Sequence, residues 1–189
     1  MGQYLSIGIN HSYTISERSA KEAGKTLEEA AEILKKARAA EDLYDFSIEA
    51  KTERERYAVF TLKSEIIEKE ILPFTSDVYD LYYGYQDEDH DRILEKLKTV
   101  KSYRDMLDAA EEPCFYSFRN DVYCEYGWIR VEGPFRKYLR YNHRAISFCM
   151  EGKIVMEDYG RIFGLLRDLL QEKLSKYQLA RAFDVYITG

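Results

Sequence analysis

The chain has 189 residues and a formal charge of −6, long enough to bury a core without disulfide or metal staples. Hydrophobic residues make up 46% and charged residues 33%, which excludes a disordered chain, and the acidity excludes a wholesale nucleic-acid coat. Seventeen tyrosines point to sheets with wet faces or to a recognition surface, because the ring packs on pleated backbone while the hydroxyl needs water or a partner.

The first predicted element is a strand from Gln3 to Ile15, in which Leu5, Ile7 and Ile9 alternate with Tyr4, Ser6 and Gly8. The start Met1-Gly2-Gln3-Tyr4-Leu5-Ser6 also fits a myristoylation pattern, but no basic cluster follows to supply a second membrane signal, and the strand is the preferred reading. Neither a secretory leader nor a membrane-length apolar run is expected. A helix is predicted from Leu27 to Ala40. Thr26 and Glu29 form its capping box, and Leu27, Ala30, Ala31, Leu34 and Ala37 its apolar stripe. Phe46, Ile48 and Ala50 then alternate into a hairpin whose return carries Tyr57, Val59 and Thr61. Ser64 starts a short helix predicted to stop or kink at Leu72 before Pro73, with a second piece holding Val78, Leu81 and Tyr82.

An acidic run, Asp87 to Asp91, opens a further helix with Ile93, Leu94 and Leu97. A weak seam falls at 111–113. Beyond Pro113 dense aromatic alternation predicts three or four antiparallel strands, including a hairpin from Cys114 to Ile129 that serves mainly as core. Asn142-His143 is read as a tight turn. A long helix from Asp158 to Ala182, with Ile162, Leu165, Leu169 and Leu170 at helical spacing, is expected to lie across the sheet, and Ala182 to Ile187 closes the chain as a strand. The expectation is a single α+β domain over 1–189, a mostly antiparallel sheet covered by helices.

The sharpest patch is Phe135 to Arg144, where four cations interleave with aromatics. Arg136, Tyr138 and Arg140 share one face of a strand; Lys137, Leu139 and Tyr141 share the other. With His143 and Arg144 these make up the candidate binding set: Arg136, Tyr138, Arg140, Tyr141, His143 and Arg144. Guanidinium forks hold phosphate and tyrosine stacks on a base; the same side chains anchor protein partners. The bland alternative is a solvated strand whose cations discourage edge aggregation.

Other constellations carry less. Asp87, Asp89 and Asp91 match the opening of a calcium loop, but Arg92 stands where glycine is needed and Lys98 where a bidentate glutamate is needed. The pattern fits acidic residues at a helix N-terminus instead. Cys114, Cys124 and Cys149 have no metal spacing and are read as free thiols of a cytoplasmic protein. No catalytic residue, metal or cofactor is assigned, since nucleophile elbow, phosphate loop and dinucleotide fingerprint are all missing from the sequence. The leading expectation is therefore a non-enzymatic interaction protein with a protein partner. A phosphate or nucleic-acid ligand on strand 135–144 is the alternative. A hydrolase or transferase assembled from His11, His90 or His143 is the third. No membrane partner is expected, and the sequence assigns no oligomeric state.

Overall fold

The computed structural model describes residues 4–52, 55–83, 118–119, 125–133, 136–149 and 171–188. The chain gathers into two compact units, each built from separate stretches. One comprises Asn10–Lys63 and Val122–Ala145; the other comprises Met1–Ile9, Ser64–Asp121 and Ile146–Gly189. Every described register is antiparallel, and with the helices below this gives an α+β chain.

In the first unit β2 (Tyr44–Thr52) and β3 (Glu55–Leu62) form the predicted hairpin, Phe46 opposite Phe60 and Ile48 opposite Ala58. β3 pairs with the later half of β1 (Tyr4–Ser16), from Ser12 opposite Thr61 to Ser16 opposite Tyr57. β6 (Lys137–Cys149) follows β1, and β5 (Glu125–Val131) pairs with β6, so the order is β2-β3-β1-β6-β5. Alternation then separates two unlike faces. Tyr13 and Ile15, Ala58, Phe60 and Leu62, and Leu139 and Tyr141 are buried. Ser12, Thr14 and Val59 on the opposite face are half-buried, and Thr61, Tyr138 and Arg140 are exposed. Tyrosine serves both faces: Tyr13 and Tyr44 meet edge to face at 5.4 Å inside, and the Tyr44 hydroxyl donates to the Asn10 carbonyl at 2.6 Å.

Two helices pack on β3 and on each other. The first, α1 (Glu17–Glu22), has less than two turns, too few for apolar periodicity to register in a sequence. Its ends are nevertheless well made. The Ser16 hydroxyl accepts the Ser19 N–H at 3.1 Å, and Gly24, at φ +73°, closes the helix. The N–H groups of Gly24 and Lys25 donate to the carbonyls of Lys21 and Ala20, each at 2.9 Å, a pairing that needs a left-handed residue between them.

The second helix, α2 (Leu27–Ala37), carries the predicted capping box: Thr26 Oγ1 accepts the Glu29 N–H at 3.1 Å and Glu29 Oε2 accepts the Thr26 N–H at 2.8 Å. Leu27, Ala30, Ala31 and Leu34 are buried as expected, but the helix ends three residues early and Ala37 is exposed; Ala39 takes the buried position beyond the turn. Replacing Thr26 with alanine is expected to cost about 1 kcal/mol in urea denaturation, because it removes one partner of the cap and loosens the other.

In the second unit the early half of β1 pairs with β7 (Phe183–Thr188), from Tyr4 opposite Thr188 to Ile9 opposite Phe183. β4 (Phe118–Arg119) pairs with the end of β6, Phe118 opposite Phe148. The helix α3 continues through Pro73 over Ser64–Tyr83, so it does not stop at Leu72. Pro73 and Lys69, the residue four positions earlier, are both exposed, so the helix tolerates the missing bond on its solvent side.

α3 also holds the C-terminal segment. Buried Glu70 accepts the Leu179 N–H at 2.8 Å, the Tyr177 hydroxyl donates to Asp77 at 2.9 Å, and Lys176 pairs with Asp77 at 2.8 Å. The Lys176 bond holds the Asp77 carboxyl below its ordinary range. Phe74 packs against Tyr177 and Phe183. These contacts draw 175–182 into turns and a 3-10 segment at Gln178–Arg181, so helix does not continue from 171–174 to Ala182. The rest of the predicted C-terminal helix, the acidic run 87–91, the helix around Ile93, the seam at 111–113, Cys114 and Cys124 lie outside the described residues. No helix among the described residues is long and apolar enough to cross a membrane.

Candidate recognition face

The β5–β6 ribbon of the first unit brings the central candidates into register. Trp128 lies opposite Arg140 and Arg130 opposite Tyr138, while Gly127 faces Tyr141, Ile129 faces Leu139 and Val131 faces Lys137. Opposed residues in an antiparallel pair have Cβ atoms about 5 Å apart, so each outward aromatic stands beside an arginine, and the two rings are set on a diagonal. Exposure confirms which row is outward: Trp128 is 61% and Tyr138 47% accessible, and Arg130 and Arg140 are exposed with them. Arg136, one residue before β6, is exposed as well. Arg130 and Arg136 form no ion pair among the described residues.

The six candidate residues thus divide by parity. Arg136, Tyr138, Arg140 and Arg144 are exposed; Tyr141 is buried and His143 half-buried on the inward row. His143 sits inside the strand, not in the expected turn, because β6 continues extended from Lys137 to Cys149. Its ring packs near Tyr13 at 6.3 Å and Tyr141 at 6.2 Å. Tyr141 reaches its buried position by lying across Gly127, where a Cβ would collide with its ring and hydroxyl. A glycine on one strand seats an aromatic from the next, and the strand can then present Trp128 outward.

Sequence reading placed Trp128 in an aromatic belt serving mainly as core, with an exposed cleft ringed by Tyr116, Tyr126 and Trp128 as the alternative, and did not bring Arg130 into the candidate set. The available signal was parity, since Trp128 and Arg130 are two apart, but using it required knowing that β5 pairs with β6 in this register.

No group of three or more His, Cys, Asp or Glu residues gathers to hold a metal among the described residues. His11 is buried; burial, reinforced by the Arg144 charge, pushes its pKa down to about 3, against a weaker opposing hydrogen bond to its own backbone. At neutral pH such an imidazole is uncharged and a poor proton acceptor. Two hollows of about 480 and 340 Å³ lie beside the α1–α2 turn and beside Tyr44 and Phe46, and neither is lined by a residue of the β5–β6 ribbon. Comparison with protein-family models, curated proteins and solved structures finds no match.

Proposed function

We propose that this protein is a non-enzymatic binding domain that takes a protein partner on the outer face of β5 and β6. One observation carries the reading: Trp128 and Tyr138 are held open to solvent on a paired ribbon, each directly opposite an arginine. Tryptophan, tyrosine and arginine dominate interface energetics, because large rings and planar cations bury much area at little entropic cost. A sheet holds them at fixed spacing before binding, which reduces the ordering cost of association. The helix expected from Asp158 belongs to the same reading as cover for a sheet, its stripe of Ile162, Leu165, Leu169 and Leu170 being too apolar to face water. Cytoplasmic placement rests on three cysteines without a disulfide or metal spacing.

A second reading is favoured by the same diagonal of rings. Exposed aromatics on a sheet, flanked by guanidinium groups, suit stacked bases and phosphates of a single strand. Salt separates the two. Three phosphate contacts, by Arg130, Arg136 and Arg140, are expected to weaken single-strand binding roughly twentyfold between 50 and 200 mM salt. A protein interface centred on Trp128 is far less sensitive. The experiment compares wild type with a Trp128→Ala/Arg130→Ala/Arg136→Ala variant, in affinity capture from native extract and in oligonucleotide anisotropy. Loss of a saturable protein partner in the variant supports the first reading; loss of steeply salt-dependent oligonucleotide binding supports the second. A variant that binds as wild type does in both assays removes this face from consideration.

A further inference from the structure

At the other end of the first unit's sheet, β2 is an open margin. Among the described residues it pairs only with β3, and every residue from Asp45 to Thr52 is exposed. Two large apolar side chains stand there in water, Phe46 at 51% and Ile48 at 40% accessibility. They share a face with buried Phe60, whose ring lies 5.0 Å from that of Phe46. The apolar face of the sheet therefore continues one strand beyond its cover. An edge with unpaired backbone groups and apolar side chains is a template for another strand.

The geometry points to antiparallel pairing of β2 with β2 of a second copy across a twofold axis, with Ile48 opposite Ile48. The choice of register is made by charge and parity. A slip of one residue would set the apolar row of one copy against the polar row of the other, so only registers centred on a residue remain. Centred on Ser47, the pairing puts Asp45 against Glu49 twice. Centred on Glu49, it puts Glu49 against itself. Centred on Phe46 it leaves most of the strand unused, and centred on Ala50 it puts the bulge between Ala50 and Thr52 in the middle of the pairing, whereas centring on Ile48 keeps that bulge at the two ends, at Lys51. Centred on Ile48, Asp45 meets Lys51 twice, and bulky Phe46 meets small Ala50 twice. Ser47, whose hydroxyl donates to Glu49 at 3.2 Å within the chain, then meets Glu49 of the second copy. Neither Asp45 nor Lys51 has an ion-pair partner among the described residues. Charges that usually keep an edge apart thus become complementary in one register and repulsive in its neighbours.

The test is the oligomeric state of the full chain, by sedimentation velocity from about micromolar to about millimolar protein. Wild type is expected to pass from monomer to dimer. Asp45→Lys and Lys51→Asp each create two like-charged pairs and are expected to weaken association roughly tenfold. The combined swap, Asp45→Lys with Lys51→Asp, restores it, and Ile48→Lys abolishes it. All three positions are exposed, so far-ultraviolet circular dichroism should be unchanged. The Trp128→Ala/Arg130→Ala/Arg136→Ala variant should dimerise as wild type does, which keeps this edge separate from the recognition face. Monomer at every concentration overturns the pairing and leaves the edge to a foreign strand or to solvent. A dimer indifferent to the single charge reversals, or a swap no better than the singles, overturns it too.

Discussion

Lowering the pH from 7 to 5 is expected to remove about 2 kcal/mol of folding stability, and replacing His11 with glutamine to abolish most of that loss. His11 is 6% accessible and its pKa in the folded protein is about 3, against an ordinary 6.5. The folded value lies below the unfolded one, so protons favour the unfolded chain. The stability contributed by keeping the imidazole neutral is complete above pH 6.5 and declines as pH falls towards 3, by about 1.4 kcal/mol for each pH unit. Burial is the main cause, because water no longer solvates the imidazolium; the positive Arg144 adds to it. The comparison with His11→Gln separates this group from the other two histidines, His90 and His143. Glu28, Glu41 and Asp77 all have lowered pKa values, so their contributions are lost only below the ordinary carboxylate range. Urea denaturation at a series of pH values measures the slope for wild type and His11→Gln. Equal slopes would mean that His11 is solvated, or already charged, in the native protein.

The second large effect is expected at Gly127. Substitution with alanine is expected to cost about 2–3 kcal/mol, an overpacking penalty, because the new methyl would occupy the space of the Tyr141 ring. Tyr141 would have to leave a position where it is 5% accessible and its ring packs, tilted, 5.9 Å from that of Tyr13. The penalty belongs to the pair, not to the glycine. In a Tyr141→Leu background the same alanine should cost close to nothing, since leucine does not reach across the neighbouring strand. A double-mutant cycle by thermal or urea unfolding measures that coupling. Additive costs would show that the strand requires glycine for its backbone and not for the ring above it. Because outward-facing Trp128 directly follows inward-facing Gly127 in β5, Gly127→Ala is also expected to weaken whatever binds the recognition face.

Where sequence reading succeeded, the deciding interactions were short in range. The Thr26–Glu29 cap is three residues wide, the β2–β3 hairpin is a local alternation, and Tyr138 and Arg140 fall on one side of a strand by parity alone. Where it failed, a distant residue had intervened. The expected turn at Asn142-His143 is extended because β5 pairs along that part of β6. The predicted helix to Ala182 gives way to turns where Glu70 and Asp77, on α3, bind Leu179, Tyr177 and Lys176, about one hundred residues away. Pro73 fails to break α3 because it faces solvent, and exposure is a property of the folded chain.

Composition and period by themselves determined that this chain would build an α+β fold around antiparallel strands with tyrosine on both faces, because alternation and capping act between neighbours. Only the tertiary structure decided that Trp128 and Arg130 join Tyr138 and Arg140 on one surface, and that Phe46 and Ile48 line an open margin. Both depend on which strand lies beside which and in what register, and a strand carries the same alternation whatever its neighbour.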